Sequence, residues 1–488
     1  MVQRLGKRDL GLAILACLMI AGALYVLEAA RAGVSITQMQ VGDTPITSYV
    51  APGADGPAVV IAHGFAGSRQ MMQGYALPLA QAGYHVHAFD FMGHGRHTLP
   101  MSGDVTVIEG TTQRLMAQTE AVMDAVAQDE SAISLLGHSM ATDVLVRVAA
   151  ERPDSGPLVL ISAFSRVIDA THPASLLMIT GAWEPGLRDF ALEAARMVSP
   201  EVSEGETARA DHITRRAVIA PHAEHVAVLH SRTGRAEALD WLNESYGRDT
   251  EATILPTGWA ILALLGGLVL LFLPVARQLP AHGVPAAPAG KGRIALAALL
   301  PAVLAPLLAV PLNPGLLPVL VADYLALHLA IFGLVQLALL RFWRIPLGPM
   351  HWQSAGLLLL WCILFGIALD RYAANFWPVG TRLWIISAIA LGAVPAMLAD
   401  ARLTHLASLP VRIALRGAFL LSLGLAVALD FEALFFLLMI APVIVLFYLV
   451  FGTMGRQTSA RGGPLAPGLV LGLVLAWALG VSFPLFQA

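Results

Sequence analysis

Cysteine is nearly absent from this chain. Only Cys17 and Cys362 occur, both inside apolar runs, and two thiols so placed exclude a disulfide framework. Charge is scarce as well: 13% of residues are charged, the formal net charge is -3 and there is no basic block, which argues against nucleic acid as a partner. Apolar residues are what the chain has in abundance. They make up 57% of its 488 residues and mean hydropathy is +0.70, outside the range of a water-soluble globular protein of this size, so an integral membrane protein is implied. The few charges are unevenly spread. Residues 35–251 carry a dense mixture of Arg, Asp, Glu and His, whereas beyond Glu251 the charges sit almost entirely between apolar runs.

The opening MVQRLGKRD is followed by LGLAILACLMIAGALYVLEAA, long enough to cross roughly 30 Å of hydrocarbon as a helix. A cleaved signal peptide is the competing reading, because Arg4, Lys7 and Arg8 form a positive start and small residues follow near Ala29. The run exceeds the roughly 7–15 residues of a signal-peptide core, which favours an uncleaved anchor over 10–30 behind a cytoplasmic segment 1–9. From Ile254 come further runs of spanning length, over 254–275, 294–312, 316–340, 352–370, 383–399, 413–429, 432–452 and 465–486, giving an all-α polytopic membrane domain over 254–486 and nine crossings in all. The proline-rich 294–312 and the short 413–429 carry the weakest signals. With the N-terminus inside, Arg277, Lys291, Arg293, Arg341, Arg344, Arg402, Arg412, Arg416, Arg456 and Arg461 also fall inside, and only Arg371 and Arg382 fall outside. The polar region 35–250 is therefore expected on the extracytoplasmic, periplasmic side of a cell (inner) membrane.

Within that region short β-rich runs appear at SITQMQV, TPITSYV, AVVIAHG, HVHAFDF, AISLLGHS, PLVLISAF, SLLMITGAW and RRAVIAP. Helical segments at 70–83, 111–128, 141–152 and 187–198 separate the later ones. Near-continuous apolar strands alternating with helices predict a mostly parallel eight-stranded sheet covered on both faces, with the first two strands as an antiparallel edge.

Gly137-His138-Ser139-Met140-Ala141 follows one of these strands and opens a helix, the context of a turn that lifts a serine hydroxyl clear of a sheet. Ala141 stands where such turns commonly carry glycine, which is mild if its backbone is helical. Upstream, His63-Gly64-Phe65-Ala66-Gly67-Ser68 comes directly after AVVIA, where acyl transfer needs a backbone N–H for the oxyanion; Phe65 and Met140 are the two candidate donors. His63, Gly64 and His138 are expected to contact substrate. Asp90-Phe91-Met92-Gly93-His94-Gly95, a second glycine-rich turn after a strand, is read as structural.

In this order and spacing, HGFAGS, DFMGHG and GHSMAT resemble the α/β-hydrolase superfamily over about residues 35–248. The resemblance implies an acid after the strand two beyond the nucleophile strand and a histidine after the last strand. For the acid, Gly181-Ala182-Trp183-Glu184 resembles the family's strand end with Glu in place of the commoner Asp; Asp189 and Asp169 are alternatives. For the base, His222, His225 and His230 follow the last strand, and His225 fits best as a loop residue held by the apolar segment after it. A serine nucleophile disfavours the branches of the family that use Asp at this turn.

The expected chemistry is that of a serine hydrolase: Ser139 attacks an ester or amide carbonyl, His225 takes its proton, Glu184 orients the imidazole, and water releases the acyl-enzyme. No cofactor or metal is called for. The expected partners are an ester or lipid-like substrate and the lipid bilayer. An acyltransferase, or a transporter or scaffold with a non-catalytic hydrolase-like domain, are the alternatives. Only about ten residues separate PLVLISAF from SLLMITG, so no large cap is expected, and residues 187–215 or the membrane domain are left to roof the site. Asp323 and His328, with Tyr324 beside them, lie inside an apolar run; they are either functional or paired, Asp323 with water, His328 or Arg382.

Overall fold

The computed structural model describes residues 6–103, 108–127, 132–286 and 290–487; Arg4 and the rest of 1–5, and position 128 of the expected 111–128 helix, lie outside the described residues. A long apolar helix, α1 (Lys7–Arg31), leads into β1 (Ser35–Val41), β2 (Thr44–Val50), β3 (Ala58–Ala62), α2 (Gln73–Gln81), β4 (His85–Phe89), α3 (Gln113–Val126) and β5 (Ile133–His138). There follow α4 (Met140–Glu151), β6 (Ser155–Ile161), β7 (Ser175–Gly181), α5 (Pro185–Arg196), β8 (Thr207–Ala210), β9 (Ile213–Ala220) and α6 (Arg232–Tyr246).

The strands form one sheet in the order β1-β2-β4-β3-β5-β6-β7-β9-β8. The run from β4 through β9 is parallel, and the edges β1-β2 and β8 are antiparallel. This is an α/β-hydrolase sheet. It has nine strands rather than the expected eight; the additional one, β8, is a four-residue edge strand, TARA, with too few apolar residues to announce itself. Strands β3, β5, β6 and β7 are apolar almost throughout because both of their faces are covered: α2 and α6 pack on one side and α3, α4 and α5 on the other. No helix intervenes between β6 and β7, so the fold has no cap there.

Beyond α6 the chain is helical: α7 (Thr257–Ala276), α8 (Lys291–Leu312), α9 (Ala322–Phe342), α10 (Trp352–Tyr372), α11 (Arg382–Thr404), α12 (Leu409–Leu429), the single turn α13 (Phe431–Leu434), α14 (Leu437–Gly462) and α15 (Leu465–Ser482). Among the described residues nine helices, these without α13 but with α1, are long and apolar enough to cross a membrane, which makes the chain a multi-pass membrane protein. The proline-rich run is one continuous helix, and the short 413–429 extends back to Leu409. Residues 316–321, by contrast, precede α9 rather than belonging to it. Close helix contacts use small residues: a Cβ on Gly392 of α11 would lie 2.0 Å from the Ala326 carbonyl oxygen of α9.

Asp323 pairs with neither His328 nor Arg382. Its carboxylate accepts the N–H groups of Leu316 and Leu317 at 3.0 and 2.7 Å, closing the turn before α9. His328 is held by Tyr324 at 2.8 Å and by Ser422 of α12 at 3.0 Å.

Spanning helices alternate in direction, so the ends that carry Arg371, Arg382 and Ser482 meet the hydrolase sheet. The contact is made by the turn after β4. Arg96 reaches both oxygens of Asp370 at 2.8 and 2.6 Å and Asn375 at 3.0 Å. The buried Arg382 donates to the carbonyls of Gly93 at 2.8 Å and of Gly480 at 3.2 Å, and Leu485 N–H donates to Gly93 at 2.8 Å. Arg371 pairs with Glu28 of α1 at 2.8 Å. Of the two arginines that depart from the charge bias, Arg382 is therefore bound in the seam and Arg371 is paired with α1.

Beneath the turn lies Asp90, fully buried at the end of β4, which pairs with Arg69 and also accepts the N–H groups of Arg69 at 2.7 Å and Arg96 at 2.9 Å. Removing one partner of a buried pair leaves an uncompensated charge, so Asp90→Ala should destabilise the folded protein by about 3–5 kcal/mol. Thermal unfolding of the full-length protein in detergent measures this, and a midpoint indistinguishable from wild type would contradict it.

Candidate active site

Ser139 sits between β5 and α4 with φ 53° and ψ -117°, a conformation that non-glycine residues rarely adopt. Its N–H donates to the Ile161 carbonyl of β6 at 2.9 Å, fixing the turn across the strand tips. Ala141 lies in the helix and is fully buried, so the missing glycine costs no positive φ. Gly64 packs directly on this turn: a Cβ there would lie 2.8 Å from His138 Nδ1 and 3.0 Å from Ser139 Cβ, so no larger residue fits without movement.

Three side chains form a line. His225 Nε2 is 2.8 Å from Ser139 Oγ, and His225 Nδ1 is 2.6 Å from Glu184 Oε1. An ionised carboxylate can only accept, so Nδ1 carries the proton and Nε2 is left free to receive the serine's. Glu184 Oε2 accepts Ser162 Oγ at 2.7 Å and Gly181 N–H at 2.8 Å. Burial pushes the Glu184 carboxyl up, but the bonds from His225, Ser162 and Gly181 outweigh it and hold the group below its ordinary 4.5. The acid and histidine turns are tied to each other by Trp183 N–H to Ala223 O at 3.0 Å.

The alternatives lie elsewhere. Asp169 closes its own exposed turn, accepting from Thr171 and His172, and Asp189 is exposed on α5. His222 is exposed with φ 55°, and His230 packs against Gly258 of α7, where burial and then the charge of Arg235 push its imidazole down to about 4.

His63 and His138 were expected at the substrate; the structure buries both behind the site and commits them to backbone. His138 Nε2–H donates to the His225 carbonyl at 2.8 Å, holding the loop that carries the base. Burial, and then the nearby His225, lower the His138 imidazole to about 4, so it serves as a neutral donor. His63 Nδ1–H donates to the Gly64 carbonyl at 2.7 Å, while its Nε2 accepts Phe91 N–H at 3.1 Å. Gly64 itself is buried against Ser139. Ser162, which supports Glu184, carries no motif and was missed; its position at the tip of the strand between those of Ser139 and Glu184 is the signal that could have found it.

Among the described residues, neither Phe65 N–H nor Met140 N–H donates to a protein acceptor. The Phe65 ring packs 5.6 Å from Phe436, just before α14, and 6.3 Å from Phe486, beyond α15, so one wall of the site belongs to the membrane domain. On the water side Phe164, Trp183 and Val226 are exposed at the strand tips. A strained serine, a histidine poised on it, a buried carboxylate behind and free N–H groups beside them form an arrangement able to activate a hydroxyl toward a carbonyl.

The region 35–248 is an α/β-hydrolase domain, and the chain joins it to a helical membrane domain. A model of the family of serine aminopeptidases, S33, matches residues 55–231. No curated protein matches the chain significantly. Similar solved structures include a CIB-like hydrolase from Thermoplasma acidophilum, with 15% identity and a TM-score of 0.34 over 43% of this chain and 100% of that one. Potato (Solanum tuberosum) epoxide hydrolase I aligns with 12% identity and a TM-score of 0.32 over 43% of this chain and 99% of its own. An epoxide hydrolase from an endophytic Streptomyces aligns with 14% identity and a TM-score of 0.34, over 44% and 97%. The assignment itself stands on the sheet order, the elbow and the family match.

Glu184 gives a pH signature. Because its carboxyl is depressed in the folded state, its contribution to stability is fully present above 4.5 and is lost as pH falls through the lower folded value. The unfolding midpoint of wild type should therefore exceed that of Glu184→Gln at about pH 5, and the gap should close in more acid solution. A gap that does not close below pH 4.5 would contradict the assignment.

Proposed function

We propose that this protein is a membrane-anchored serine hydrolase that cleaves a carboxylic ester, or an amide, through an acyl-enzyme. The observation that carries the reading is the unbroken line from Ser139 Oγ through the His225 imidazole to Glu184, set on a strained elbow. His225 Nε2 takes the hydroxyl proton as Ser139 attacks the carbonyl carbon. Glu184 holds the tautomer and the imidazolium that forms. The N–H groups of Phe65 and Met140 receive the oxyanion, and the N-terminus of α4 adds a favourable dipole. His225 then returns the proton to the leaving group, and water, activated by the same imidazole, frees the acid.

The hydrolase domain faces the extracytoplasmic, periplasmic side of a cell (inner) membrane. The support is the placing of Lys and Arg: Lys7, Arg277, Lys291, Arg344, Arg412 and Arg456 lie at helix ends away from the sheet. The exposed apolar side chains of Phe164, Trp183 and Val226 at the strand tips favour an ester that is apolar near its carbonyl.

Purified full-length protein should react with a fluorophosphonate probe, and Ser139→Ala should abolish the adduct. Hydrolysis of a short activated ester should fall by about 10³–10⁴-fold in Glu184→Gln, and by more in His225→Ala. A wild-type protein that is not labelled, or an adduct surviving Ser139→Ala, overturns the reading. Protease added to spheroplasts should digest the 35–250 region; protection of that region reverses the orientation.

A further inference from the structure

Beside the oxyanion loop lies a pocket of about 270 Å³ whose walls come from both halves of the chain. Phe65 and Ala66 form the hydrolase side. Val321 before α9, Phe436 just before α14, and Met439 and Val443 along its first turns form much of the other. Ser482 supplies the polar side chain in the lining, and its hydroxyl is already donated to the Ala478 carbonyl at 2.7 Å. The pocket therefore offers a guest apolar contact and little else. A polar or charged substituent would lose its hydration there without a partner.

Two features say what fills it. Met439 and Val443 line the pocket and are also 56% and 41% exposed, on the flank of a spanning helix, which is the flank that lipid covers. The pocket is thus bounded by side chains that border the bilayer. Among its lining residues is Phe65, whose N–H is one of the two donors proposed for the oxyanion. A chain lying in the pocket thus touches a residue that also serves the site at Ser139. His225, whose side chain is 44% exposed, must protonate the leaving group, which places that group toward water.

We infer that this pocket holds the acyl chain of a lipid ester drawn sideways from the bilayer, with the carbonyl at Ser139 and a polar leaving group on the water side. The inference rests on the serine hydrolase reading and names its substrate class: long-chain acyl esters of a hydrophilic alcohol. A peptide threaded from water would instead be bound at Phe164 and Trp183 and leave the pocket unused.

The test uses full-length protein in nanodiscs and p-nitrophenyl butanoate and decanoate. Each methylene moved from water into an apolar site gains about fourfold in affinity, so six added methylenes should raise kcat/KM at least tenfold. Val443→Trp, which narrows the pocket from its lipid-bordering wall, should lower the decanoate-to-butanoate ratio by tenfold or more. A second measurement needs no variant. A fluorophosphonate carrying a decyl chain with a terminal diazirine is attached to Ser139 and irradiated, and the crosslink should map to the α14 segment 436–443. A ratio near one in wild type, a ratio unmoved in a folded Val443→Trp, or crosslinks confined to 164–190 overturns the inference. Butanoate cleavage and Ser139 labelling persist if this inference alone fails; loss of both means the hydrolase reading has failed.

Discussion

The buried pair of Asp90 and Arg69 is the contact on which the arrangement depends. Arg69 opens the turn that follows the oxyanion loop, and Asp90 begins the turn that docks on the membrane helices. One carboxylate therefore serves both turns, accepting from the Arg69 backbone, the Arg69 guanidinium and the Arg96 backbone. His63 adds a parallel tie, since the ring that holds the Gly64 carbonyl also accepts Phe91 N–H. Outward from Asp90, Arg96 and Gly93 are bound by Asp370, Asn375 and Arg382. The loop that carries Phe65 is thus connected to α10 and α11 through ionic and charge-assisted hydrogen bonds, in a setting partly withdrawn from water, where such bonds are strong.

A glutamate, rather than an aspartate, at position 184 is explained by what lies around it. The strand after the nucleophile strand ends in Ser162, and the acid strand ends in Gly181; both point a donor into the same space. The additional methylene of Glu184, compared with aspartate, lets the carboxylate fold back over its own turn to take both donors on Oε2 and still present Oε1 to His225. A carboxylate with three donors stays ionised despite its burial and is fixed in orientation. The same economy of loops fixes the base, because the His225 carbonyl is held by His138, the residue immediately before the serine.

Much of this was legible in the sequence, and the exceptions have physical reasons. Apolar runs of spanning length are a strong signal, because hydrocarbon tolerates no unpaired backbone, and the nine long helices among the described residues follow them closely. Apolar strands alternating with helices identify the sheet for a similar reason. Ser139 stands out by its turn after a strand, the resemblance to α/β hydrolases implies Glu184 and His225, and the structure brings these three within hydrogen-bonding distance. Less legible was whatever depends on partners remote in sequence. A four-residue edge strand pairs on one side only and needs no apolar pattern. Ser162 acquires its role from Glu184, and Arg382 from a carbonyl 289 positions away. His63 and His138 read as substrate contacts because one opens the HGFAGS turn and the other precedes the serine; burial is what the sequence order does not express. Asp90 to Gly95 was read as structural, but that the structure in question is the seam with the membrane helices could not be read from a glycine-rich turn.

The absence of a cap and the presence of so many helices are two aspects of one constraint. A hydrolase site needs walls that exclude water from a developing oxyanion, and relatives of this fold with a cap build them from an insertion after the strand that follows the elbow. Here that connection is too short, and the wall beside Phe65 is made by Phe436 and Phe486. A single anchoring helix would tether the domain but could not supply these rings at a fixed height, because a lone helix has no partner to resist tilt and rotation. Fixing them takes a packed bundle, with α9 and α11 in close contact at Gly392 and the end of α15 clamped by Arg382. The membrane domain thus provides the surface against which the loop that carries Phe65, the donor proposed for the oxyanion, is folded.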